Sequence, residues 1–210
     1  MSTHAEHRAT ARAYLRASAD IKQRTAETCD DTIVAAADLV AQTFRAGGKL
    51  LLCGNGGSAA DCQHMAAELV SRLTKTVDRP GLPAIALTTD TSFLTAFAND
   101  CGFDGVFERQ VQALGREGDV LLGISTSGNS PNVIRAVRRA RSGGLRSIAL
   151  TGAGGLLASL ADVAIAVPST DTQHIQEAHL AIEHLICWLV ERDLFGSLAS
   201  VTSHEDAHDH

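Results

Sequence analysis

The chain has 210 residues, enough for one domain with its own core; 45% are hydrophobic but only 4% aromatic, so that core must be built from Ala, Leu, Ile and Val. With 18 Lys and Arg against 24 Asp and Glu, the chain lacks the basic footprint of a nucleic-acid binder. No apolar run approaches the roughly 18 residues of a membrane span.

The first residues, "MSTHAEHRATARAYLRASADIKQ", contain no apolar stretch of a signal peptide. Five cysteines, at 29, 53, 62, 101 and 187, are scattered and form no C-x-x-C. They read as reduced, mostly buried thiols of a cytoplasmic protein. From about residue 5 to 46 the pattern predicts helix: Ile33, Ala36, Ala37, Val40 and Phe44 recur at spacings of three and four, and "AGG" at 46–48 ends it.

Short apolar runs follow: "KLLLCG" (49–54), "LPAIALTT" (82–89), "DVLLGIS" (119–125), "RSIALTG" (146–152) and "DVAIAVPS" (162–169). Most are succeeded by a helical pattern. Near-continuous apolar strands alternating with helices predict an α/β fold, a parallel sheet covered on both faces. A last helix is predicted over about 172–193. Residues 1–196 thus read as a single domain with an N-terminal helical extension, and the polar, His-rich 197–210 as a disordered tail.

The run "LLLCGNGGSAADCQHMAAEL" leaves a strand, turns on glycines and opens a helix. Gly54, Gly56 and Ala59 fit the loose dinucleotide pattern G-x-G-x-x-A. A dinucleotide site also needs an acidic residue about 20 positions on, at the end of the next strand. Here that strand ends near Asp90, about 36 residues beyond Gly54, so the dinucleotide reading fails on spacing. The second loop, "LLGISTSGNSPNVIRAV", offers Ser125, Thr126, Ser127 and Ser130 at a helix start with Pro131 in its first turn. Capping by Ser130 or Asn129 accounts for one hydroxyl. Four hydroxyls beside free helix N–H groups suit a phosphate monoester. The P-loop lysine motif is missing, which disfavours nucleoside triphosphate chemistry.

His64 and Glu68 stand at i and i+4, about 40° apart and about 6 Å along a helix. That spacing serves two ligands of one metal, a base with its partner, or a plain solvated pair. Cys62, about 200° from His64, is a poor third ligand. In "QHIQEAHLAIEHLICWLVE", Ile175, Ala178, Ile182, Leu185, Ile186 and Leu189 form one apolar stripe. Gln176, His184 and Glu191 fall opposite, with Leu180, Cys187 and Trp188 among or beside them. A helix apolar on two sides is buried on two sides, which points to a subunit interface over the second. His179 and Glu183 read as a surface or intersubunit ion pair.

The chain resembles the phosphoheptose isomerases of the sugar isomerase (SIS) superfamily over about residues 5–194. The supporting strings are "GNGGSAADCQHMAAEL", "LTAFANDCGFD", "EGDVLLGISTSGNSPNVIRAV", "IALTG" and "IQEAHLAIEHLICWLVE". The resemblance implies a three-layer sandwich with a five-stranded parallel sheet, assembled as a homotetramer with active sites between subunits. It implies zinc, one per subunit, held by His64, Glu68, Gln176 and His184. Substrate-binding positions would be Asn55, Gly56, Gly57, Ser58, Arg72, Asn99, Asp100, Ser125, Thr126, Ser127, Ser130 and Gln176. The implied reaction converts D-sedoheptulose 7-phosphate to D-glycero-D-manno-heptose 7-phosphate, the first step toward nucleotide-activated heptose for lipopolysaccharide and other surface glycans. Glu68 would be the base and His184 the acid of an enediol proton transfer. A related SIS protein that binds the replication initiator keeps both loops but lacks counterparts of Glu68 and His184. This sequence has both, which favours an enzyme over a binding module. A sugar-phosphate sensor without turnover is the third reading.

Overall fold

The computed structural model describes residues 2–74 and 78–196. The predicted tail, 197–210, lies outside them. The chain opens with two helices, α1 (Ser2–Thr28) and α2 (Asp30–Arg45). Strands and helices then alternate: β1 (Leu50–Gly54), α3 (Gly57–Val70), β2 (Ala84–Ala86), α4 (Thr91–Cys101) and, after a 3-10 turn, α5 (Val106–Leu114). They continue as β3 (Val120–Ser125), α6 (Pro131–Ser142), β4 (Arg146–Thr151), α7 (Leu157–Leu160), β5 (Val163–Ala166) and α8 (Thr172–Phe195).

The single N-terminal helix expected from the pattern is broken at Cys29, whose backbone (φ −124°, ψ 2°) leaves helical geometry. Cys29 Sγ lies 3.4 Å from the Ala166 carbonyl oxygen of β5. Asp30 and Asp31 follow in the first turn of α2, where carboxylates suit the positive helix end. Residues 3–17 of α1 are exposed, although Tyr14 already donates to Glu177 Oε1 (2.9 Å) and meets the His174 ring of α8, and Ser18, Ile21 and Thr25 are buried.

All five strands are parallel, in the order β2-β1-β3-β4-β5. Alternate residues feed two separate cores. Leu50, Leu52, Val120, Leu122 and Leu150 pack under α2, α3 and α8. Leu51, Cys53, Leu121 and Ala149 pack under α5, α6 and α7. Burial on both faces explains why the strands read as continuous apolar runs rather than alternating ones.

At the N-terminal edge of the sheet, Asp119 accepts from the Lys49 backbone N–H (2.9 Å), the Arg116 N–H (2.8 Å) and Lys49 Nζ (2.5 Å). This buried carboxylate ties the starts of β1 and β3 together. At the opposite edge the winding reverses between β1 and β3. In open α/β sheets the crevice at such a switch point, beyond the strand C-termini, is where ligands bind.

Candidate active site

Both loops singled out in the sequence leave the C-terminal ends of β1 and β3, which are hydrogen-bonded neighbours. Gly56, at φ +57°, makes the turn into α3 and gives it no side-chain cap, so the first N–H groups of that helix are left for a ligand. Ser58 is buried just inside that turn. The loops are joined by a reciprocal pair: Asn55 Nδ2 donates to Asn132 Oδ1 (2.9 Å), and Asn132 Nδ2 donates to Asn55 Oδ1 (2.8 Å).

In the second loop Ser130 occupies the cap position of α6 but makes no capping bond. Its hydroxyl lies 2.9 Å from Ser125 Oγ, which is 3.5 Å from Ser127 Oγ. Capping thus does not use the hydroxyl of Ser130. Gly128 shapes the loop: it has φ +65°, and a Cβ there would fall 2.4 Å from the Gly154 carbonyl oxygen. Thr126 is half-buried in the same turn, and its carbonyl accepts from Gly152 N–H.

Behind the glycine loop, α3 and α8 pack side by side. His64 Nε2 and His184 Nε2 approach to 2.8 Å with their rings edge-on, and His64 Nε2 lies 3.7 Å from Glu68 Oε1. One donor atom from each of His64, Glu68 and His184 lies within 4.8 Å of the others. Among the described residues no other three His, Cys, Asp or Glu side chains converge this way. Two imidazole nitrogens and a carboxylate are a donor set suited to zinc. Nitrogens held about 2.0–2.1 Å from a tetrahedral ion stand a little over 3 Å apart, so a small ring adjustment makes room. Cys62 is fully buried and faces the core.

Gln176 is placed differently from the other three expected ligands. Its Nε2 donates to Asp61 Oδ2 (3.3 Å), and its amide covers Gly57 so closely that a Cβ there would fall 2.0 Å from Nε2. Burial pushes the Asp61 carboxyl above its ordinary value, opposed by the Gln176 bond. Arg72, Asn99 and Asp100 are exposed. Asn99 Nδ2 donates to Asp100 Oδ1 (2.8 Å), and among the described residues no hydrogen bond ties these three to the cluster.

Three expectations for α8 need correction. His179 and Glu183 form no surface ion pair; both are fully buried. His179 Nε2 meets the Thr151 carbonyl (3.1 Å), and burial moves the imidazole down to about 4. Burial pushes the Glu183 carboxyl up to about 9, and neither of its oxygens has a hydrogen-bond partner. Leu185, placed on the buried stripe, is 40% exposed. Glu191 is fully buried against Arg79. The sequence reading also passed over Asn132, Asp61 and Arg79. The first two had a local signal, as polar residues on the inner face of a helix start beside a loop already flagged. Arg79 had none.

The cysteines follow the expectation: all are free, and Cys29, Cys53, Cys62 and Cys187 are buried while Cys101 is exposed. Burial pushes the Cys53 thiol up to about 12 and raises Cys62 and Cys187 as well. No helix among the described residues is long and apolar enough to cross a membrane.

Residues 13–152 match the family model for the SIS domain. The chain is 58% identical over 182 residues to a phosphoheptose isomerase of Roseiflexus sp. (strain RS-1), covering 86% of this chain and 91% of that one. Among solved structures, phosphoheptose isomerase GmhA from Neisseria gonorrhoeae gives a TM-score of 0.82 at 47% identity, over 88% of this chain and 98% of that one. A phosphoheptose isomerase from Francisella tularensis gives 0.83 at 39% identity, over 87% and 97%.

Proposed function

The chain belongs to the phosphoheptose isomerases of the SIS-domain family, and we propose that it interconverts D-sedoheptulose 7-phosphate and D-glycero-D-manno-heptose 7-phosphate at the α3–α8 cluster. The observation that carries this reading is the convergence of His64 and Glu68 on α3 with His184 on α8, immediately behind a glycine turn and beside a hydroxyl loop.

Aldose–ketose isomerisation moves a proton between C1 and C2 through an enediol. Glu68 takes the C1 proton of the open-chain ketose and returns it to C2. His184 gives a proton to the C2 oxygen, and in the second half-reaction the C1 hydroxyl proton is withdrawn as the new carbonyl forms. The hydroxyls of Ser125, Thr126, Ser127 and Ser130, with Ser58 and the free N–H groups at the start of α3, hold the distant phosphate. That remote binding places C1 and C2 against the acid–base pair. Asn55, Gly56, Gly57, Arg72, Asn99 and Asp100 complete the substrate contacts, the last three through chain movement or a neighbouring subunit.

Zinc, one per subunit, would be held by His64, Glu68 and His184, with Gln176 as the exchangeable fourth ligand, and would orient the acid–base pair and polarise a substrate oxygen. A homotetramer is supported by apolar side chains left on the surface of α1, α2 and α8: Tyr14, Leu15, Val34, Leu180 and Leu185. A cytoplasmic role at the head of nucleotide-activated heptose synthesis, toward lipopolysaccharide or another glycan, follows from this chemistry. The direct test is incubation of the purified chain with sedoheptulose 7-phosphate, with chromatographic detection of the aldose phosphate. Bound but unconverted substrate would refute the enzyme reading in favour of a sensor.

A further inference from the structure

The loop between α3 and β2 sends one side chain back into the protein. The Arg79 side chain is fully buried, as is that of its counter-ion Glu191 on α8. Its Nε donates to Glu191 Oε1 (2.6 Å), and Nη2 lies 2.5 Å from the same oxygen. Nη2 also donates to the Glu68 carbonyl (2.8 Å), and Nη1 donates to the carbonyls of Leu69 (2.8 Å) and Pro80 (3.0 Å). The Leu73 N–H donates to Glu191 Oε1 as well (3.2 Å). The guanidinium fork thus makes four hydrogen bonds, one to a carboxylate and three to backbone carbonyls.

Two of those acceptors are carbonyls in the last turn of α3, which have no partner within the helix. One belongs to Glu68. Glu191 lies about two turns beyond His184 on α8. The guanidinium thus grips the backbone of one proposed ligand and, through Glu191, the helix that carries another.

Stability alone accounts poorly for the pair. A buried ion pair is seldom better for folding than apolar side chains of similar volume. Here Glu191 Oε2 is also buried with no hydrogen-bond partner, an added penalty.

We propose that Arg79 and Glu191 are positioning residues that lock the end of α3 against α8, so that His64 and Glu68 face His184 at ligand distance. The proposal rests on the zinc-isomerase reading above. Outer groups of this kind commonly change metal affinity ten- to a hundredfold.

The test compares the wild-type chain with Arg79→Met/Glu191→Met, in which apolar side chains fill the space. Zinc affinity is read by competition with a chromophoric chelator, together with kcat, KM and Tm. The expected result is a folded protein with a lower Tm, because the Glu68 carbonyl and the Leu73 N–H lose their partner, zinc affinity at least tenfold weaker, and a loss concentrated in kcat. A folded double variant with wild-type zinc affinity and kcat would overturn the proposal. Should that variant fail to fold, Arg79→Lys decides by the same readings: it keeps the charge but loses the planar fork whose separate nitrogens reach Glu191 and the two carbonyls. Severalfold weaker zinc binding with lower kcat supports the proposal, and wild-type values overturn it. A wild-type chain that neither binds zinc nor isomerises the substrate would refute the functional reading itself, and this proposal with it.

Discussion

Substituting Gly57 by alanine separates folding from function at this site. The new Cβ would lie 2.0 Å from Gln176 Nε2, 2.5 Å from Cδ and 2.6 Å from Oε1. Ordinary contact is roughly 3.5 Å, so the amide must move by about 1.5 Å. All three atoms are the far end of a flexible side chain, which can swing away. The swing breaks the bond to Asp61, worth about 1–3 kcal/mol depending on its charge. Against this, alanine in place of glycine in a helical turn returns up to about 1 kcal/mol. The net change is at most about 3 kcal/mol, a fall of about ten degrees or less in Tm. A misplacement of about 1 Å near the reacting atoms can lower turnover by about 10²-fold. Thermal denaturation and steady-state kinetics on Gly57→Ala and Gln176→Ala should therefore show two nearly stable, similarly impaired proteins. The double variant should be no worse than either single one, because both act through one side chain. Full activity in Gly57→Ala, or additive losses in the double variant, would refute the reasoning.

Three further outcomes follow from the same site. Glu68→Gln should fold normally yet lose about 10²–10⁴-fold in kcat, along with exchange of the C1 hydrogen with deuterated solvent; surviving exchange would remove Glu68 as the base. Chelator-stripped protein should lose most of its activity and regain it with zinc, whereas full activity in verified metal-free protein would make the ligand set structural. The third concerns Glu183. Between the ordinary carboxylate value and about 9, the folded chain holds a proton that the unfolded chain has lost. Stability then falls as pH rises through that window, by up to about 1.4 kcal/mol per unit. Glu183→Gln should raise Tm by an amount that grows from pH 5 to pH 8.5, and a constant difference across that range would show that the carboxyl titrates normally.

The sheet was readable in the sequence because its strands are buried on both faces, which leaves an apolar run between glycine and hydroxyl punctuation. β1, β3 and β4 fall within a residue of the runs that announced them. The break at Cys29 was not readable: no glycine or proline announces it, and the sulfur's neighbour there is a carbonyl of β5, far along the chain. The two loops and the pair His64–Glu68 were legible from local spacing, whereas His184 was joined to them only through the family resemblance, and the structure brings the three together. The misreading of His179 and Glu183 has one origin: periodicity equates polar with exposed. His179, Glu183 and Glu191 are polar and fully buried. Which carboxylate is neutralised by Arg79, and which is kept uncharged by desolvation, depends on neighbours more than 100 residues away in sequence.

The Lys49–Asp119 linkage at one edge of the sheet and the paired loops at the other divide the molecule's burdens. The first edge secures the strands through a buried ion pair; the second leaves two helix starts without a side-chain cap. Adaptation can therefore proceed at each edge almost independently. Changes around Asp119 would be filtered by abundance and heat tolerance, and changes around Ser125 or Gly57 by catalytic output. A random library scored for both traits should split along the strand direction, with α3 and α8 as the exception. Those helices run between the edges and carry both burdens, so they should be the least permissive part of the chain.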